Sequence, residues 1–188
     1  MTRIIGGIAG SRVLASPAKV TRPTSDRIRE SIFNRLTALN LIENATVLDL
    51  FAGTGALGLE AASRGAKQVY LVENNKQALG GIIQNMRMLK SALQKEGADC
   101  DIRAEGKSVQ NALSNINSKF DLIFIDPPYE LTNQSISEIL AELIRVLAPD
   151  ATIVLERSSR TELPELPPPL QLDETKSYGD TVIYWLSN

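Results

Sequence analysis

Two periods of apolar recurrence alternate along this chain. Short continuous apolar runs have the length of buried strands. The segments between them place apolar residues three and four apart, the spacing of a helix face. Strands are predicted over Thr46–Leu50, Gln68–Glu73, Cys100–Glu105, Phe120–Asp126 and Ala151–Glu156. Helices are predicted between them over Gly55–Ser63, Lys76–Leu93, Ser108–Ile116 and Ser135–Leu147. A final strand pair, Leu170–Lys176 and Thr181–Leu186, is joined at Tyr178-Gly179-Asp180. Buried strands alternating with amphipathic helices predict an α/β fold: a doubly wound, mostly parallel, seven-stranded, Rossmann-like sheet with an antiparallel C-terminal edge.

Upstream of this pattern, residues 1–24 are rich in Gly, Ser and Pro, with β-like pieces near Arg3–Ile5 and Arg12–Leu14. A small arm or hairpin is expected there. Thr24 or Ser25 can cap a helix running to about Leu39, with Ile28, Ile32, Phe33, Leu36 and Leu39 on one face. Residues 1–188 are expected to form a single domain, with the arm at 1–24 and the helix at 25–40 as its extension. The stretch Pro164-Glu165-Leu166-Pro167-Pro168-Pro169 reads as a stiff surface connector.

Composition narrows the chemistry. The 188 residues include no histidine and one cysteine, Cys100. His-dependent triads, His general bases, Cys-based zinc sites and intrachain disulfides are therefore excluded, and no metal site is expected. Acid–base work falls to Asp, Glu, Lys, Tyr or the backbone. No apolar run is long enough to span a membrane, and the N-terminus is too short and too broken by glycine for a signal peptide, so a cytoplasmic location is expected. The net charge of −2 hides a partition: residues 1–35 hold seven basic against two acidic residues, and the remainder thirteen against twenty. A basic segment on an acidic body suggests a local polyanion contact, although solvated surface charge explains it equally well.

The candidate chemistry lies at two strand ends. Phe120–Ile125 leads into Asp126-Pro127-Pro128-Tyr129. The prolines end the strand, leaving a carboxylate, free carbonyls and an aromatic ring at its tip. That set suits a flat heterocycle with an exocyclic amine, the ring stacking while the carboxylate and a carbonyl accept from the NH2 group. A plain structural stop is the alternative. The other end reads Val47-Leu48-Asp49-Leu50-Phe51-Ala52-Gly53-Thr54-Gly55-Ala56-Leu57-Gly58, a glycine-rich strand-to-helix turn. Glu73 ends the next strand, 20 positions after Gly53, where a carboxylate can accept both ribose hydroxyls of an adenosyl group. The spacing Gly53-x-Gly55-x-x-Gly58 also fits a dinucleotide fingerprint. Against NAD, Asp49 would repel a pyrophosphate, and the chain leaves little room for a separate substrate domain. S-adenosylmethionine carries a sulfonium and an ammonium and no phosphate, which suits an acid-rich turn. Asp49 can also be a simple turn cap.

Asp49 to Gly58, Glu73 and Asp126 to Tyr129 resemble the class I S-adenosylmethionine-dependent methyltransferases that modify exocyclic amines. With Arg3-Ile4-Ile5-Gly6-Gly7, Arg22-Pro23-Thr24-Ser25-Asp26-Arg27-Ile28-Arg29-Glu30 and Ser63-Arg64-Gly65-Ala66, essentially the whole chain resembles the RsmD-type 16S ribosomal RNA guanine-N2 methyltransferases. The resemblance implies methyl transfer from S-adenosylmethionine to one guanine of small-subunit ribosomal RNA, in the subunit or a late assembly intermediate, by a monomer. The implied cofactor set is Asp49, Phe51, Ala52, Gly53, Thr54, Gly55, Glu73, Asn74 and Gly106. The implied catalytic set is Asp126, Pro127 and Tyr129, and Arg22, Arg27 and Arg29 are the candidate RNA contacts. The family usually has Gly-Asp after the third strand, whereas this chain reads Glu105-Gly106-Lys107-Ser108, and Lys107 cannot accept from the adenine amine. An adenine-N6 methyltransferase, a small NAD-dependent oxidoreductase and a binding-only protein remain as alternatives.

Overall fold

The computed structural model describes residues 2–15 and 25–188. Helix α1 (Asp26–Ala38) precedes an alternating series: β1 (Thr46–Asp49), α2 (Ala56–Ser63), β2 (Gln68–Val72), α3 (Lys76–Lys95), β3 (Asp101–Glu105), α4 (Val109–Asn115), β4 (Phe120–Ile125) and α5 (Asn133–Leu143). A 3-10 turn at Ile144–Val146 leads into β5 (Leu147–Ser158), β6 (Gln171–Tyr178) and β7 (Thr181–Ser187). The sheet order is β3-β2-β1-β4-β5-β7-β6. The first five strands are parallel; β7 pairs antiparallel with β5, and β6 antiparallel with β7. This is the expected doubly wound sheet with its antiparallel edge.

The period of two along each strand divides the core. Val47, Val69, Phe124, Val154 and Trp185 face α1, α2 and α3, where they meet Ile32, Phe33, Leu59 and Ile82. Leu48, Ile123, Ile125, Ile153 and Leu155 face α4 and α5, where they meet Leu113, Ile136, Ile139 and Leu140. Both faces are covered, so the central strands read as continuous apolar runs.

The element ends follow local chemistry. Ser25 caps α1, its hydroxyl accepting from the Ile28 N–H. Asn75, Ser108 and Thr132 cap α3, α4 and α5 in the same way. One boundary differs from the sequence expectation by more than two residues. The helix expected to reach Leu147 ends at Leu143, and β5 starts at Leu147 instead of Ala151. Leu147 already pairs with Phe120, and a register shift before the Leu122–Thr152 pair absorbs the intervening residues. Pro149 cannot continue a helix, and Asp150 takes a left-handed conformation (φ 58°), so a bulged strand resolves both.

Residues 2–15 form a small closed loop. Arg3 bridges Val13 antiparallel, and Ile4 and Leu14 enter the core. Among the described residues, no helix is long and apolar enough to cross a membrane.

Candidate active site

In the strand order, β1 and β4 are the neighbours from which the chain winds in opposite directions. The crevice beyond their C-terminal ends is the place where open α/β sheets bind ligands. A cavity of about 660 Å³ opens there. The glycine turn forms one wall through Phe51, Ala52, Gly53 and Thr54; Glu73 and Asn74 continue it from the end of β2. Asp126, Pro127, Pro128 and Tyr129 form the opposite wall. Residues separated by more than fifty positions in sequence thus meet across one space.

The turn is held from several sides. The Gly53 N–H donates to Glu73 Oε2 at 2.8 Å, and the Asn75 N–H donates to Oε1 at 2.7 Å. Each carboxylate oxygen of Glu73 keeps acceptor capacity for one more donor. Gly55 sits at φ +79°, which admits glycine most readily. At Gly58, an added Cβ would lie 2.3 Å from Leu71 Cδ2, so the glycine lets α2 lie directly on β2. Asn85 of α3, itself buried, reaches under the turn: its amide donates to the Thr54 carbonyl at 2.9 Å and to the Ala15 carbonyl at 3.0 Å, and its oxygen accepts from the Ala15 N–H at 2.7 Å.

Asp49 lies behind the turn and does not line the cavity. Its Oδ2 accepts from the Gly58 N–H at 3.0 Å, the turn-cap role, while its buried Oδ1 has no partner. Burial pushes its pKa up to about 7, aided by the charges of Asp126 and Glu73 and opposed by the Gly58 hydrogen bond. Gly55 and Gly106 also lie outside the cavity wall; at Gly106 a Cβ would crowd Leu79 Cδ2 at 2.8 Å. Lys107 does line it, with Nζ 3.1 Å from Glu105 Oε2, and the adjacent Ser108 hydroxyl caps α4.

The other wall is rigid at its base and open at its rim. Pro127 is buried, and Tyr129 is half exposed, its ring free to take a stacked partner. Downstream, the buried Arg157 of β5 donates from Nη2 to the Leu131 carbonyl at 2.9 Å and to Asn133 Oδ1 at 3.0 Å, tying the loop after Tyr129 to the sheet. A carboxylate at the end of β4, an anchored glycine turn facing it and an aromatic ring at the rim can hold an adenosyl donor and a planar amine acceptor together.

Comparisons with known proteins place the whole chain. The family model described as Conserved hypothetical protein 95 matches residues 2–187. Ribosomal RNA small subunit methyltransferase D of Escherichia coli is 34% identical over 180 residues, covering 94% of this chain and 85% of that one. The Haemophilus influenzae protein of the same name is 37% identical over 158 residues, covering 82% and 77%. The solved structure of yhhF from Escherichia coli has a TM-score of 0.85 and 31% identity, covering 100% of this chain and 97% of that one. The chain belongs to the RsmD-type methyltransferase family.

Within this family member, the three candidate RNA contacts separate. Arg22 lies outside the described residues. Arg27 is exposed on α1. Arg29 is not a surface phosphate contact: its side chain is 1% exposed. Its Nη2 donates to Asp26 Oδ1 at 2.6 Å and to the Arg3 carbonyl at 2.9 Å, and it lines the cavity instead. The helical spacing alone set it beside the apolar stripe of α1; the carboxylate three residues before it and the arm's carbonyl allow it to be buried there.

Four buried polar residues that line or brace the site and its supports escaped the sequence reading. Glu60 is fully buried on α2 and accepts from the Ile5 N–H (2.6 Å), the Gly6 N–H (2.8 Å) and Arg64 Nε (2.7 Å), anchoring the arm. Asn85 and Arg157 brace the two walls as described. Glu156, 8% exposed, lines the cavity beside Asp126. The available signal was the same for all four: a polar residue inside an otherwise apolar helix face or strand.

Proposed function

We propose that this chain transfers a methyl group from S-adenosylmethionine to the exocyclic N2 amine of a guanine in 16S ribosomal RNA of the small ribosomal subunit or a late assembly intermediate. The observation that carries it is the facing pair of walls at the sheet's switch point. The Glu73-anchored glycine turn stands opposite Asp126-Pro127-Pro128-Tyr129 across a single cavity. The two curated relatives compared above are named for the small ribosomal subunit.

The walls fit the cofactor. Glu73 has acceptor capacity on both oxygens for ribose hydroxyls, and Asp49, behind the turn, offers negative charge to a cationic methionyl group across the turn or through water. Phe51, Ala52, Gly53, Thr54 and Asn74 line the cavity and complete the cofactor set, while Gly55 and Gly106 shape the backbone behind it. Bound S-adenosylmethionine supplies an electrophilic methyl carbon on a sulfonium.

The remaining work belongs to the protein. The guanine N2 lone pair is delocalised into the ring. Asp126 and the Pro127 carbonyl accept its two N–H bonds, favour a pyramidal nitrogen and stabilise the positive charge that grows there. Tyr129 stacks on the base and holds N2 in line, about 3–3.5 Å from the methyl carbon. After transfer, the methylated amine is acidic enough to lose its proton to water, with Asp126 as a secondary acceptor. Residues 1–188 act as one domain, a cytoplasmic monomer. The arm at 1–24 and the helix at 25–40 grip the RNA, with Arg22 and Arg27 on phosphates. Incubating small subunits with labelled S-adenosylmethionine, followed by nucleoside analysis, tests this: label in N2-methylguanosine is expected, and label in any other nucleoside overturns it.

A further inference from the structure

We infer that Glu156 and Arg29 read the Watson–Crick edge of the target base and make the site specific for guanine over adenine. This rests on the guanine-N2 assignment above and adds to it the residues that enforce it.

Register places the first of them. Ile125 of β4 is level with Leu155 of β5, so the next residues, Asp126 and Glu156, are neighbours across the same strand pair. The alternation that sends Phe124 and Val154 toward α1 sends Asp126 and Glu156 the same way. Arg29 comes from α1 onto that face, and all three line the cavity. Two carboxylates and one guanidinium therefore share the base-facing wall.

Arg29 carries the second observation. Its Nη2 is fixed by Asp26 and the Arg3 carbonyl, so the guanidinium is held in place. Its Nε and Nη1 are buried and have no hydrogen-bond partner. Buried cationic donors without acceptors are costly, and an acceptor on a cavity ligand is the remedy. A base carbonyl supplies one, and an arginine on guanine O6 is a common pairing.

The donor and acceptor order then matches guanine. Its edge presents the N2 amine, the N1–H and the O6 carbonyl in sequence. Asp126 takes N2, Glu156 accepts from N1–H, and Arg29 donates to O6. Adenine fails twice. With its 6-amine at Asp126, its N1 lone pair faces the Glu156 carboxylate and its C2–H faces Arg29. A lone pair against a carboxylate and an apolar C–H against a guanidinium reject the wrong base strongly.

The test compares wild type with Glu156→Gln and Arg29→Lys on small subunits. Labelled nucleosides, cofactor affinity and Tm are measured for each. Glu156→Gln preserves shape, and Arg29→Lys preserves the charge beside Asp26. Each is expected to lose about 10- to 100-fold in kcat/KM for N2-methylguanosine formation, the scale of one charge-assisted hydrogen bond. Cofactor affinity and Tm should stay at wild-type values. Wild-type kcat/KM in both variants overturns the inference, as does a loss of activity that tracks a loss of Tm. A competition on the wild-type enzyme needs no variant to fold. Guanosine monophosphate should inhibit at least about 10-fold better than the 2,6-diaminopurine analogue, which keeps the 2-amine but reverses N1 and position 6. Equal potency, including no inhibition by either, overturns it. Absence of N2-methylguanosine in the wild-type reaction removes the proposed function itself, and is distinct from both outcomes.

Discussion

Asp49 and Asp126 stand at the ends of neighbouring strands with different surroundings, and their substitutions separate two steps. Asp126 is partly exposed at the cavity wall, where the base enters. Asp126→Ala is expected to abolish turnover while cofactor affinity, measured by calorimetry, stays near wild type; more than about a tenth of the wild-type rate contradicts a role in the transition state. Tyr129→Phe should be mild and Tyr129→Ala severe, since stacking needs the ring and not the hydroxyl. Asp49 is buried behind the turn, and its pKa rises from 3.8 to about 7. A cationic cofactor favours the carboxylate, so affinity should climb as pH rises through about 7 and level off above it. The folded chain holds a proton that the unfolded chain has lost between pH 3.8 and about 7. The stability this proton contributes is therefore present at low pH and fades as pH rises across that window. Calorimetric titration and thermal melts over pH 5–9 (roughly the range around that pKa) check both signs. Asp49→Asn should flatten both profiles, and unchanged profiles would assign the dependence to another group.

At the scale of elements, α1, α2 and α3 are each tied to a neighbouring segment by at least one buried polar residue. On α2 it is Glu60, which satisfies two backbone N–H groups of the arm and the Arg64 side chain at once. Glu60→Ala strands those donors and should cost about 3–5 kcal/mol. For a chain of this size that lowers Tm on the order of 10 °C. A melt within about 2 °C of wild type would show that the arm is anchored by its apolar residues Ile4, Ala9 and Leu14 instead. The same brace explains what was legible in the sequence. The strands read correctly because burial on both faces makes them continuous apolar runs, and the placing of the glycine turn and the Asp126 tip at strand ends was legible because glycines and prolines interrupt those runs there. Glu60 was hidden among Leu57, Leu59, Ala61 and Ala62, in a helix too short and too apolar to show a polar face. Its partners are backbone groups 54 and 55 positions away, which no local pattern reveals. Arg29 was misjudged for a related reason: a cation beside an apolar stripe reads as surface until the carbonyl of Arg3, 26 residues upstream, is seen to accept from it. The early start of β5 was missed because Pro149 and Asp150 read as a turn, whereas the register shift against β4 absorbs them.

Across the whole molecule, charge and topology divide the labour. The sheet's acidic C-terminal end, with Asp49, Glu73, Asp126 and Glu156, attracts a cation and repels a phosphate chain, so the RNA backbone must be held elsewhere. On the proposed function the basic excess in residues 1–35 would provide that place, and the structure tells two of its arginines apart. Arg27 is exposed on α1, while Arg29 is buried beneath it and turned into the cavity. Only an exposed cation can displace a condensed counterion from RNA. Arg27→Ala should therefore weaken RNA binding and lower the slope of log affinity against log salt by about 0.7–0.9, one phosphate contact. Arg29→Lys should leave that slope unchanged, because its partner is the base and the base edge carries no counterion. Cofactor affinity should be the same in both variants, since neither arginine belongs to the glycine turn or the Glu73 anchor. Binding measured across a salt series, with Tm for each variant, decides the matter. A drop in Tm with an unchanged slope for Arg27→Ala makes α1 a structural strut and moves the phosphate contacts to another surface. A reduced slope for Arg29→Lys would mean that the guanidinium turns outward when RNA binds, and the base-reading role would fall with it.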